Sequence, residues 1–165
     1  MGTLRSPPHA ARGNGNRQRE GQERSADPMS ERVSLQEALI YVMVMVSASD
    51  SSMTDKELHS IGEIIKTLPV FASFDQERIV AVSQDCGERL QAENGMANTF
   101  AVIAASVPPT YRDTAYALGV EIAIADVAVA QEELRVLQLL RDALGLDKLT
   151  VAAIERGAQA RYRIN

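Results

Sequence analysis

The residues of this chain best suited to chemistry are carboxylates, and they occur in a duplicated pattern. Asp50 and Glu57 are separated by six residues, and so are Asp126 and Glu133, with each glutamate directly before a leucine. All-oxygen donor sets of this kind suit hard cations such as Ca²⁺ and Mg²⁺. Carboxylates gathered without basic partners also repel one another unless a cation or water screens them. Asp50, Glu57, Asp126 and Glu133 are therefore the candidate metal ligands, with a divalent cation, Ca²⁺ or Mg²⁺, as the expected occupant. Each has a plainer reading beside it. Thr54-Asp55-Lys56-Glu57 is a T-x-x-E capping box, which by itself accounts for Glu57. Asp50 could accept loop amides, and acids in a first helical turn interact well with the helix dipole. At Glu133 the capping explanation weakens, because Ala130 stands at the N-cap position and has no hydroxyl. Glu121, in the apolar stretch LGVEIAIAD, is a secondary candidate: a fifth ligand, an ion-pair partner for an arginine such as Arg112, or an exposed residue.

Other chemistry finds little footing. Counted from Asp50, an EF-hand loop would need Gly at its sixth position and Glu at its twelfth, where Asp55 and Ile61 stand. His9 lies in the N-terminal tail, and His59 has no nucleophile nearby in sequence. Cys86 is the only cysteine, which excludes an intramolecular disulfide and a cysteine-built zinc or iron–sulfur site. It falls on an apolar stripe, as a buried, inert thiol would. There is no Gly-rich phosphate loop, no H-E-x-x-H and no dinucleotide fingerprint. The chain reads as a binding protein rather than an enzyme.

Helices must position these acids. Ser34 and Glu37 form a capping box ahead of ALIYVMVMV, and Leu35, Leu39, Val42 and Val46 follow at helical spacing. That helix is expected to be buried nearly all round. Further stripes are Ile79–Val82–Cys86–Leu90 in a helix from near Asp75, Met96–Phe100–Ile103–Val107 ending at Pro108-Pro109, and Tyr111–Ala115–Leu118–Ile122–Ala125. Leu134, Leu137, Leu140 and Leu144 form another, closed by Gly145 as a C-terminal cap. A short last helix is expected from an N-cap at Thr150 through Ile154. With an offset of 76 and no gaps, Leu39, Val42, Val46, Asp50 and Glu57-Leu58 meet Ala115, Leu118, Ile122, Asp126 and Glu133-Leu134. The sequence thus predicts an all-α bundle of about six to seven helices, built on two repeated helix–loop–helix hairpins.

At 165 residues the chain has the length of one domain. Residues 1–28 carry five arginines against Glu20, Glu23 and Asp27, and Leu4 is their only large aliphatic residue beyond Met1. Such a segment cannot bury enough surface to offset its ordering entropy. A disordered tail over 1–28 and a helical domain over 29–165 are expected. The remainder of the chain carries a net charge of −7, a poor match for nucleic-acid phosphates. No apolar run reaches the ~20 residues of a membrane span, and the tail lacks the apolar core of a secretory leader. A cytoplasmic protein without membrane insertion is expected.

The phrases VMVSASDSSMTDKEL and EIAIADVAVAQEEL resemble the tellurite-resistance TerB family, which is also represented in the N-terminal region of the membrane-anchored co-chaperone DjlA. In that family hydrophobic helices end in Ala-Asp-Gly, an apolar residue and then Glu, and the resemblance covers residues 32–147. It implies an all-helical bundle and a divalent-cation site at Asp50, Glu57, Asp126 and Glu133. Ser51 and Val127 replace the family's glycine after each aspartate. Val127, being β-branched, resists positive φ, so a different turn is expected in the second loop. The implied function is a stress-response module acting through partner proteins, including a role in tellurite tolerance. The alternative is a metal-free interaction scaffold whose acids cap helices and present a negative surface.

Overall fold

Ser34 caps the first helix: its hydroxyl accepts from the Glu37 amide while the Glu37 carboxylate accepts from the Ser34 amide at 2.8 Å. This reciprocal cap starts α1, Leu35–Ser47. A computed structural model describes Gly2, residues 31–48, 53–125 and 131–163. The tail expected over 1–28 therefore lies, Gly2 aside, outside the described residues. After α1 come α2 (Asp55–Thr67), α3 (Ile79–Gln91), α4 (Gly95–Ser106), α5 (Arg112–Ala125), α6 (Gln131–Leu144) and α7 (Lys148–Arg161), with short 3₁₀ turns at Pro69–Phe71, Gln76–Arg78 and Pro109–Tyr111. Among the described residues there is no strand, and no helix is long and apolar enough to cross a membrane.

Every residue of α1 from Ala38 to Ser47 is buried. A helix without a polar face has to be enclosed, and α1 packs against α3, α4, α5 and α6. Its partner in the repeat, α5, is sandwiched between α1, α6 and α7. Gly119 lets these helices meet: a Cβ there would lie 3.1 to 3.3 Å from Leu137, Leu140 and Val42. α2 and α6 are amphipathic and close the hairpins, α2 through Ile61 and Ile65, α6 through Val136, Leu137, Leu140 and Leu144.

A tyrosine–carboxylate bond ties the third helix to the core helix in each half, although the two tyrosines, 75 residues apart, are off the repeat's register by one. Tyr41 on α1 is buried and donates its hydroxyl to Asp85 on α3. Tyr116 on α5 is equally buried and donates to Glu155 on α7 at 2.7 Å. Each half is thus a three-helix unit whose core helix is tied to the third by a tyrosine–carboxylate bond, with α4 between the halves. Burial and the neighbouring carboxylate raise both phenols far above their usual range, so both remain donors. Partial burial disfavours the charge on Asp85, but hydrogen bonds from Tyr41 and Arg89, and the Arg89 charge, outweigh it and hold the carboxyl below its ordinary value.

Helix ends follow local chemistry. Gly145, at φ +64°, closes α6 in a Schellman arrangement, its amide reaching Asp142 and that of Leu146 reaching Arg141. The last helix starts earlier and runs longer than its periodicity predicts. Asp147 is its N-cap, accepting from the amides of Leu149 and Thr150, and Thr150 sits inside the first turn. Four residues of the predicted stripes are turned outward: Met96 is 46%, Tyr111 39% and Leu134 49% exposed, and Ala125 is exposed too.

Gly95 follows Asn94, which takes a left-handed φ of 54°, and a Cβ on Gly95 would stand 2.4 Å from the Arg89 and Leu90 carbonyl oxygens. Gly95→Ala is therefore expected to cost about 1–3 kcal/mol in urea denaturation. Gly157→Ala, with open space around it in mid-α7, is expected to gain about 0.5–1 kcal/mol.

The lowered Asp85 carboxyl gives a pH dependence of known sign. A carboxylate whose folded pKa lies below its unfolded value near 3.8 contributes stability above that pH, and loses it as pH falls through the folded value. Glu37 behaves alike: burial opposes its charge, but the Ser34 cap and Arg78 outweigh it. Stability should thus fall on acidification below about pH 4.5, and Asp85→Asn should flatten part of that slope. An unchanged slope in the variant would show that the Tyr41–Asp85–Arg89 cluster contributes nothing to acid sensitivity.

Candidate functional site

The end of α1 and the starts of α2 and α6 open on one groove. Ala48 at the close of α1, Thr54, Asp55 and Leu58 at the start of α2, and Gln131, Glu132 and Arg135 at the start of α6 line a single open groove of about 1360 Å³. One wall comes from α3 and the beginning of α4, and buried Val44 and Val136 lie among the groove's lining residues. Ala48, Met53 and Gln131 are among its lining residues, while Asp50 and Asp126 lie outside the described residues. The groove exceeds the roughly 300–1,000 Å³ of ordinary small-molecule clefts.

The two glutamates expected as ligands meet different fates. Glu57 is the third residue of α2, and its Oε2 accepts from the Thr54 amide at 2.6 Å and the Thr54 hydroxyl at 2.7 Å. The Glu57 amide donates back to Thr54 Oγ1 at 3.3 Å, completing the capping box. Glu133 occupies the same position in α6 but is only 8% exposed. The adjacent leucines also differ, Leu58 lining the groove while Leu134 points to solvent. The cause is packing: α6 is covered by α1, α4 and α5, whereas α2 touches mainly α1 and the turn at Pro69–Phe71. Among the described residues no three His, Cys, Asp or Glu side chains lie close enough to hold a metal. A cation site here would need Asp50 and Asp126.

The profile of a family described as tellurite resistance protein TerB matches residues 36–156. The chain belongs to the TerB family. Comparison with curated proteins and with solved structures gave no match. The matched stretch runs from the first turn of α1 into α7, so the TerB domain includes both tyrosine–carboxylate pairs and every described element of the groove.

Other singled-out residues in this TerB chain have structural partners. Glu121 accepts from the Tyr162 hydroxyl at 2.7 Å and pairs with Arg161 at 3.4 Å, fastening the end of α7. Arg112 is not its partner: the Arg112 Nη1 donates to the Leu144 carbonyl at 3.1 Å, at the end of α6. Cys86 is fully buried, and burial together with the Asp85 charge pushes its thiol up to about 12. It is an unreactive core residue at neutral pH. His59 is exposed.

Sequence periodicity missed the groove's α3 wall. Val80, 49% exposed, lies off the Ile79–Val82–Cys86–Leu90 stripe and faces the groove. A large apolar residue outside the stripe of an amphipathic helix was the available signal. Ser83, in the same wall, is buried, and its hydroxyl has no hydrogen-bond partner among the described residues.

The Thr54 cap sits on the groove rim and makes a direct test of what Glu57 does structurally. Thr54→Ala should lower stability by about 1 kcal/mol in urea denaturation. Glu57→Gln keeps an acceptor oxygen for the Thr54 amide and should cost less. Equal losses would show that the carboxylate charge, rather than the cap geometry, matters at this helix start.

Proposed function

We propose that this chain is a binding module of tellurite tolerance, acting in the cytoplasm through partner proteins. Its working face is the end of the bundle where the two hairpins turn. The observation that supports this is the shared groove: helix starts 76 residues apart in sequence, Thr54-Asp55 and Gln131-Glu132, line one concavity. The two helix starts that carry the repeated glutamates thus open on one concavity.

In this reading Asp50, Glu57, Asp126 and Glu133 bind a divalent cation, Ca²⁺ or Mg²⁺, that ties the two hairpin ends together. An acid at the third position of both α2 and α6, the two helices that start at the groove, supports it. A second reading, a metal-free scaffold with an acidic surface, is favoured by the engagement of Glu57 Oε2 in its cap.

Millimolar Ca²⁺ is expected to raise the melting temperature of the full chain, because a ligand that binds only the folded state stabilises it by ~2.7 kcal/mol at a hundred times its Kd. Monovalent salt at matched ionic strength controls for screening. Glu133→Gln should abolish the divalent-specific shift while leaving the metal-free chain folded. Equal shifts in the two salts, or wild-type Ca²⁺ binding by Glu133→Gln in calorimetry, would leave the scaffold reading in place of the cation site.

A further inference from the structure

The groove has an apolar floor and an acidic rim, and that combination specifies an occupant. Val44, Leu58, Leu90 and Val136 lie within it, and Val80 and Met96 stand about half exposed over it. Exposed apolar side chains clustered on one concave face mark a binding surface rather than ordinary scatter. Met45, Met53 and Met96 add unbranched side chains that adjust to a partner's shape. Around them stand Asp55, Glu88 and Glu132, against Arg135 as the one cation among the described lining residues. None of the three acids forms an ion pair among the described residues. The orphan hydroxyl of Ser83 in the α3 wall is a further polar group that an occupant would satisfy.

We infer that this groove receives an amphipathic, basic helical segment of a partner protein. An apolar stripe at helical spacing would lie on Val80, Met96 and the floor, and Lys or Arg on its flanks would face Asp55, Glu88 and Glu132. Charge sets this occupant above the alternatives. A second copy of the chain would bring acidic rim against acidic rim, and the body as a whole carries −7. Residues 1–28 have the right sign of charge, but Met1 and Leu4 are their only large apolar side chains, too few to cover the floor. The inference rests on the binding-module reading for the choice of working face, but it does not require a cation.

The probe is a fluorescent 18-residue peptide with leucines on one helical face and lysines on the other, measured by anisotropy against the full chain. Its controls are a scrambled peptide of the same composition and a version with glutamate in place of lysine. The leucine–lysine helix is expected to bind at least tenfold more tightly than either control. Val80→Gln with Met96→Gln, at positions already exposed and so outside the core, should weaken binding at least tenfold. Glu88→Gln with Glu132→Gln should weaken it several-fold and reduce its salt dependence, while Leu149→Gln, 80% exposed and outside the groove, should change nothing. Equal affinity for the three peptides, or unchanged binding by the Val80/Met96 variant, overturns the inference. If the peptide does not bind and the chain instead sediments as a dimer that this variant dissociates, the occupant is a second copy, and only the working-face reading survives. If neither binding nor dimerisation occurs, both fall. Ca²⁺-dependent melting of the same variant reads the cation site separately.

Discussion

α1 has no face that tolerates water. From Ala38 to Ser47 it offers solvent nothing, and a helix of that kind is stable only when other helices surround it. Burial of this one element dictates much of the arrangement: α3, α4, α5 and α6 take their places around it. The enclosure also fixes where the functional end must lie. With its sides covered, α1 meets the surface at its termini, and the C-terminal one, Val44 to Ala48, opens on the groove. Interiors packed at crystal-like density transmit displacement poorly tolerated by their neighbours, so such a helix makes a rigid mount for a binding face.

The duplication supplies the second half of that face, and the two halves are alike in architecture but not in detail. Each has a buried tyrosine on its core helix bonded to a carboxylate on its third helix, Tyr41 to Asp85 and Tyr116 to Glu155. A phenol removed from water without a partner is costly, and a carboxylate acceptor makes the stronger bond. The equivalence breaks at the second helices. α2 lies at the margin of the bundle and α6 within it, so the matched pair Glu57-Leu58 and Glu133-Leu134 differ in which member is covered. Duplication followed by unequal packing turns one inherited pattern into two environments, a capping carboxylate on one side and a buried one on the other.

How much of this is legible in the sequence depends on how local the cause is. The Ser34–Glu37 cap, the Thr54–Glu57 cap and the Gly145 terminus are determined within a few residues, and the structure has each where the sequence places it. The all-helical fold and the hairpin repeat follow from periodicity and from the offset of 76, and the family profile over residues 36–156 agrees with the resemblance in the duplicated turns. Even local chemistry can be misassigned when two caps compete. Asp147 and Thr150 both suit an N-cap, and the carboxylate accepts two amides where a hydroxyl would serve one less well. Periodicity identifies a stripe but not what will cover it, which is why Met96 and Leu134 belong to apolar stripes and still face outward. The partners of Glu121, Tyr41 and Tyr116 are 41, 44 and 39 residues away, at separations no short-range pattern encodes. Asp50 and Asp126 lie outside the described residues, so the placement of the full acid set rests on the helix starts that flank it.

The acids and the apolar residues of the groove also have to be considered together. Like charges held near one another destabilise the folded chain unless something screens them, and exposed Val80 and Met96 leave apolar area in water that a free-standing bundle would gain by covering. Both features are unfavourable in the isolated protein, and both lie on one face, while Leu149 and Tyr111 are exposed singly elsewhere. A cation would relieve the first and leave the second. A basic amphipathic helix relieves both at once, through its flanks and its apolar stripe. A cation on the rim would weaken the attraction for a basic partner without closing the floor. Were both to bind this face, linkage would couple them with a negative sign, each lowering the affinity for the other by the same factor.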